Sequence, residues 1–410
     1  MRILVLSTTL TRQRAGTAHA TVDIANGLAR LTRAKVTVAA YELDEDWLDA
    51  AVDVIKYEQA PSRKFLWRLE DVLAVDRCCR SLATADLSGF DLCYVRNTAE
   101  ALAFHRIHPD VPLLTHTGAI IAGKELAAEG HMRSRFLLAA NAAGRDHWEK
   151  QSYRQINWRH IVSTRLVARQ RESEFKLPRD FFHVCPLPVD EATFNPSSVS
   201  HDVRQEFQIP PEQPVILTVS RLTRWKNIDA VLRAISQLPA EVSPYYLIVG
   251  QGRERETLEQ LATELGIENR VRFLGHQPNT APYYAAADVF VLPSSIESFG
   301  LVYAEAMHMG LPCIGLAHNP PKSISAASDV IPDGGGCCVK DANELRAAIE
   351  EYVTNPQLCK THGAAAQAHA REEYSVANYI SFLAKIVDDE FGLQIPLKSS
   401  SPADAPVAST

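Results

Sequence analysis

The chain has 410 residues, 46% hydrophobic and 22% charged, with a formal net charge of −7. That length suits two to three domains of roughly 100–200 residues. The composition excludes a disordered chain, a collagen-like repeat and a small disulfide-stapled scaffold. No run approaches the roughly 18 uninterrupted apolar residues that a bilayer-spanning helix needs. The opening Met1-Arg2-Ile3-Leu4-Val5-Leu6 is too short for the apolar core of a signal peptide and reads as a first buried strand. Eight cysteines show no Cys-x-x-Cys and no zinc-like spacing. The expectation is free thiols in a cytoplasmic protein, with no metal site.

Charge is uneven along the chain. Residues 1–185 carry 26 basic against 22 acidic side chains, and 186–410 carry 16 against 27. Residues 131–180 alone hold 11 basic and 5 acidic residues. Such an excess suits solvated helical faces, or a peripheral contact with an anionic acceptor or the inner face of a membrane.

In chain order, apolar or β-branched runs at 2–6, 35–41, 52–57, 91–95, 112–115, 160–163 and 181–185 predict strands. Between them, 19–31 and 64–84 repeat apolar residues at three and four, the helical period. Residues 186–213 hold five prolines and no long periodic run, which reads as a linker. A second series follows: strands at 214–220 and 245–250, a helix at 227–238, then VRFLG, ADVFVLPS and CIGLA. Strands alternating with helices predict an α/β protein with parallel sheets. The expected layout is an N-terminal domain over 1–185, a linker over 186–213 and a second domain over 214–374. A terminal helix over 375–394 and a disordered tail over 395–410 complete it.

Ligands of open α/β sheets gather at the carboxyl ends of strands. Past 214–220 stand Arg221 and Lys226, two cations suited to a diphosphate, or to a solvated loop. Past 245–250 stands Gly250-Gln-Gly252, which lacks the third glycine of a dinucleotide fingerprint because Arg255 occupies that place. Past ADVFVLPS come Glu297, then Ser298-Phe299-Gly300-Leu301 opening a helix, then Glu305 one turn inside it and Gly310 as its stop. The first N–H groups of such a helix receive anions, and carboxylates accept from vicinal hydroxyls. Asp44-Glu45-Asp46 is an Asp-x-Asp, read as an exposed helix start favoured by the helix dipole. No Gly-x-Ser-x-Gly, His-Glu-x-x-His or Walker loop occurs.

Taken in order, Arg221…Lys226, Gly250-x-Gly252, Glu297-x7-Glu305 and Val330-Ile331-Pro332-Asp333-Gly334 resemble glycosyltransferase family 4. The resemblance implies the GT-B fold, two Rossmann-like domains facing each other across a cleft. It implies a retaining transfer from a nucleotide-diphosphate sugar to a carbohydrate or lipid-linked acceptor, with no cofactor, metal or nucleic acid. By resemblance, Arg221 and Lys226 hold the diphosphate, and Glu297 meets the donor sugar. The stretch Ser298, Phe299, Gly300 and Leu301 lines sugar and phosphate, Glu305 takes the ribose, and the base lies near Leu274-Gly275-His276. In the first half, Gly16 stands for a family Gly-Gly loop and His116 for a sugar-contacting histidine, read equally as a packed structural one. Two further readings share these residues: a non-catalytic nucleotide-sugar-binding partner subunit, and a GT-B epimerase or phosphorylase.

Overall fold

The computed structural model describes residues 1–11, 17–60, 73–117, 143–144, 146–155, 158–239 and 241–398. Contacts divide the chain into two compact units. The first comprises Met1–His116, Gly130–His160 and Tyr379–Thr410, the second Thr117–Glu129 and Ile161–Asn378.

The first unit is a parallel sheet with strands in the order β3-β2-β1-β4-β5-β6. These are β1 (Arg2–Leu6), β2 (Lys35–Ala40), β3 (Asp53–Lys56), β4 (Leu92–Val95), β5 (Leu113–Thr117) and β6 (Trp158–Val162). Ile3 pairs with Val36 on one side and Leu92 on the other. Residues 3–6 are fully buried, as a central parallel strand covered on both faces requires. Helices α1 (Thr17–Leu31), α2 (Ala74–Leu82) and α3 (Thr98–Ile107) belong to this unit. The helix expected over 64–84 is present as α2, while 61–72 lie outside the described residues. The 44–46 acidic run caps and starts a one-turn 3-10 helix, Glu45–Trp47, with no buried residue.

The second unit includes the end of β6, whose Ile161 and Val162 pair with β7 (His183–Val184) across helix α4 (Arg165–Phe175). Its own sheet runs β10-β9-β8-β11-β13-β15, again parallel. The strands are β8 (Val215–Val219), β9 (Tyr245–Val249), β10 (Val271–Gly275), β11 (Val289–Leu292), β13 (Cys313–Leu316) and β15 (Gly336–Val339). A two-stranded pair, β12 (Ile296–Glu297) and β14 (Ile324–Ser325), lies outside it. Ile216, Ile248, Val289 and Ile314 form the core with Val231, Leu232 and Ile235 of α5 (Ile228–Ser236), Leu258 of α6 (Arg255–Glu264) and Ile349. Each such buried aliphatic side chain contributes about 1.5–3 kcal/mol relative to exposure.

Residues 186–213, read as a linker, make fixed contacts within the second unit. Arg204 donates to the Ala286 and Gln213 carbonyls and pairs with Asp288 at 2.7 Å, and the Val189 N–H donates to the Tyr374 carbonyl. The last stretch also differs from expectation. Residues 395–398 are held, not loose: Arg33 N–H donates to the Pro396 carbonyl at 2.7 Å, Lys398 N–H to Leu31 at 2.8 Å, and Ile395 is buried. The exposed end of α1 recruits this strand-like segment because its last carbonyls lack intrahelical partners. Residues 399–410 lie outside the described residues.

Candidate functional site

The carboxyl edge of the second sheet gathers most of the residues singled out in the sequence. After β8 the backbone makes a 3-10 turn, Arg224–Lys226, closed by Asn227 in the left-handed region at φ 53°. Asn227 Nδ2 donates to the Pro293 carbonyl at 2.8 Å, and Ser295 N–H donates to Trp225 O at 2.8 Å. Two strand-end loops, after β8 and after β11, are thereby joined. The result places Lys226 Nζ 2.7 Å from Glu297 Oε2, with both side chains largely buried. Arg221 is exposed, and its side chain has no hydrogen bond or ion pair among the described residues.

The glycines past β9 and β10 serve backbone contact. A Cβ on Gly250 would lie 1.8 Å from the Ser220 carbonyl oxygen, and one on Gly252 would lie 2.2 Å from that of Leu222. Leu222 N–H donates to Gln251 O, and Gly250 N–H to Gly275 O at 2.7 Å. Gly250 and Gly275 both adopt positive φ, 131° and 70°. The failed dinucleotide fingerprint is thus a device for laying one strand-end loop against another. His276 is exposed immediately past Gly275.

Helix α7 (Leu301–His308) starts from Gly300 in the left-handed region, φ 76°. A Cβ there would sit 2.6 Å from the Tyr303 ring and 3.2 Å from Glu297 Cγ, so only glycine fits beside that carboxylate. The first turn leaves N–H groups without intrahelical acceptors, the kind of groups that receive anions at helix starts. Ser298 carbonyl accepts from Thr164 Oγ1 at 2.9 Å, and Phe299 is buried edge-on against Tyr374. Leu301 is half-buried. The helix ends as expected at Gly310, with Leu311 N–H on Ala306 O and Gly310 N–H on Met307 O. Glu305 faces the core: it is 8% exposed and accepts from Tyr284 OH at 2.7 Å. Burial raises its carboxyl to about 7, with the Tyr284 hydrogen bond opposing the shift.

His116 is placed otherwise than a substrate-facing histidine. It is fully buried in the first unit, stacked on Tyr379 of α8 (Val376–Phe391), whose OH meets Nδ1 at 2.7 Å. Tyr379 OH also meets Tyr94 OH at 2.8 Å. Burial, with the Arg96 charge second, holds the His116 imidazole well below its usual range. Gly16 lies outside the described residues, as do 131–142, 145, 156 and 157 of the basic stretch. Within that stretch Arg171 is buried and Arg159 pairs with Glu390, so neither is an open surface cation. Among the described residues no cluster of three or more His, Cys, Asp or Glu could hold a metal ion. No described helix is long and apolar enough to cross a membrane. Sequence reading missed Asn227, Tyr284 and Thr164, whose partners lie 66, 21 and 134 residues away.

Residues 199–369 match the family model described as glycosyl transferases group 1. The lipopolysaccharide core biosynthesis glycosyltransferase LpsE of Rhizobium meliloti is 33% identical over 155 residues, 38% of this chain and 44% of that protein. The chain spans about half the length of the curated relatives it matches. Among solved structures, sucrose-phosphate synthase from Thermosynechococcus elongatus is similar with a TM-score of 0.73 at 20% identity, covering 95% of this chain and 99% of that one. Anabaena HepE, in complex with UDP and glucose, follows at 0.67 and 21%, covering 94% and 99%. These likenesses show the fold: α/β with parallel sheets, of the GT-B type.

Proposed function

We propose that the chain is a retaining glycosyltransferase that moves a sugar from a nucleotide-diphosphate sugar to a carbohydrate or lipid-linked acceptor. The observation that carries this is the 2.7 Å contact of Lys226 with Glu297 at a strand-end edge where Arg221 stands exposed. Cation and carboxylate, side by side, suit a ligand with phosphate at one end and hydroxyls at the other. In support, residues 199–369 match a glycosyl transferase model, and a structural neighbour was solved with UDP and glucose.

In this scheme Arg221, Lys226 and the first amides of α7 meet the diphosphate, and Glu297 accepts from sugar hydroxyls. Negative charge grows on the diphosphate as the sugar bond breaks, so fixed cations act more strongly on the transition state than on the ground state. No metal enters, because chain residues already supply the opposing charge. Glu305 supports the ribose side, and the loop at Gly275 and His276 borders the base. Free thiols suit a reducing compartment, so the reading is of a cytoplasmic enzyme.

The test is a thermal-shift screen against nucleoside diphosphates and their sugars. A ligand at about 100 times its dissociation constant adds about 2.7 kcal/mol of stability. Stabilisation by no nucleotide would overturn the donor site. With a donor identified, the anomeric configuration of the product, read by NMR, decides retention.

A further inference from the structure

The Lys226–Glu297 pair bears on which nucleotide the site prefers. The two side chains are 14% and 12% exposed, so their attraction is only weakly screened. Their backbones are fixed. Lys226 ends the turn held by Asn227 on Pro293 and by Trp225 on Ser295. Glu297 lies in β12, with its carbonyl accepting from Ala326 N–H at 2.8 Å and its Cγ wedged beside Gly300. Neither group can withdraw by a loop movement that leaves these bonds intact.

An ammonium has three N–H donors and spends one on Glu297, leaving two for a phosphate. A diphosphate that shares Lys226 must therefore stand with its negative charge near the Glu297 carboxylate. A bare diphosphate gains nothing in return. A sugar-bearing diphosphate does, because its hydroxyls donate to that same carboxylate. Resting on the donor reading above, we propose that Glu297 is a discriminating residue: it disfavours the bare nucleoside diphosphate, the reaction product, relative to the sugar-bearing donor, and so speeds product release. Discrimination here comes from a repulsive element as much as from an attractive one.

Calorimetric titration of the full chain with UDP, UDP-glucose, GDP and GDP-mannose tests this, in the parent and in Glu297→Gln. The amide keeps the shape and removes the charge. The expected result is that Glu297→Gln binds the bare diphosphate roughly tenfold tighter, in the range of ordinary site–site couplings, while the sugar-bearing form gains nothing or weakens. Added to a Lys226→Met background, Glu297→Gln should gain much less, because the competition for the ammonium is gone. If Glu297→Gln fails to fold, Glu297→Asp draws the carboxylate back by one methylene and should give a smaller gain of the same sign. Diphosphate binding by the folded variant that is unchanged or weaker overturns the discrimination and leaves the donor site standing. A parent chain that binds none of the four nucleotides overturns the donor site itself.

Discussion

Strands β8 and β5 hold comparable places, each central or near-central in a parallel sheet, yet their carboxyl ends are finished in opposite ways. Past β8 the chain presents an exposed Arg221 and a Lys226 whose ammonium pairs, among the described residues, with the largely buried Glu297. At the end of β5, His116 is sealed between sheet and helix, stacked on Tyr379 and hydrogen-bonded to it. The rule that ligands gather at strand ends gives the address of a site, not its occupant. What covers the strand end decides, and for β5 that cover is a helix 263 residues further along.

Six substitutions test this contrast, in order of expected size. Gly250→Ala tests the framework of the second unit's edge. Its Cβ would lie 1.8 Å from a carbonyl oxygen, at φ 131°, so the loops must part. A loss of about 4 kcal/mol is expected in denaturant unfolding, among the largest that single changes produce. A near-neutral result would mean the loops after β8 and β9 are not held together as described.

Lys226→Ala should lower transfer by about 10²–10³, the usual loss for one preorganised transition-state donor, with a smaller loss of donor affinity. Arg221→Lys should not restore a two-pronged grip on phosphate, so it should behave as a loss as well. Near-normal turnover in Lys226→Ala would move the active edge elsewhere. His116→Ala should read out in stability first: about 3 kcal/mol, from the cavity and from a Tyr379 hydroxyl left with one partner fewer. If the melting temperature holds while turnover collapses, the first unit's strand end is a substrate contact after all.

Glu305→Gln tests the buried carboxyl through pH. A carboxyl raised from 4.5 to about 7 makes the folded chain bind more protons than the unfolded chain across that interval. Its contribution is fully present below about 4.5 and is lost as pH rises through about 7. The variant should therefore gain on the parent by about 1–3 kcal/mol between pH 4.5 and 8. Glu100, buried in the first unit and likewise raised to about 7, acts with the same sign, so Glu305→Gln removes only part of the parent's slope. A pH-independent difference would mean Glu305 is ionised in the folded chain. The smallest effect is expected of Tyr379→Phe, about 1–2 kcal/mol, the ordinary net value of the two hydrogen bonds its hydroxyl shares with His116 and Tyr94.

Much of the fold was legible because strand and helix signals are local. The runs at 2–6, 35–41, 91–95, 214–220 and 245–250 are strands in the structure, to within a residue or two. The Gly310 stop is a cap whose bonds span five residues, well within reach of sequence reading. Of the candidate site, the residue types at the second unit's edge were legible, because Arg, Lys, Glu and Gly declare their chemistry wherever they stand.

Their pairings were not. That Lys226 takes Glu297, that Gly250 and Gly252 press on the 220–222 backbone, and that Glu305 turns inward to Tyr284 depend on which loops the sheet order brings side by side. The short proline-rich run at 186–213 gave no periodic signal, yet Arg204 fastens it to Ala286, Gln213 and Asp288. The elements and the kinds of groups at their ends follow from local sequence, since backbone hydrogen bonding and side-chain period act over a few residues. Which of those groups are buried and which stand free follows from the packing of distant segments. Burial depends on neighbours tens to hundreds of residues away, and it sets the charge state of His116 and Glu305 and the partner of Lys226.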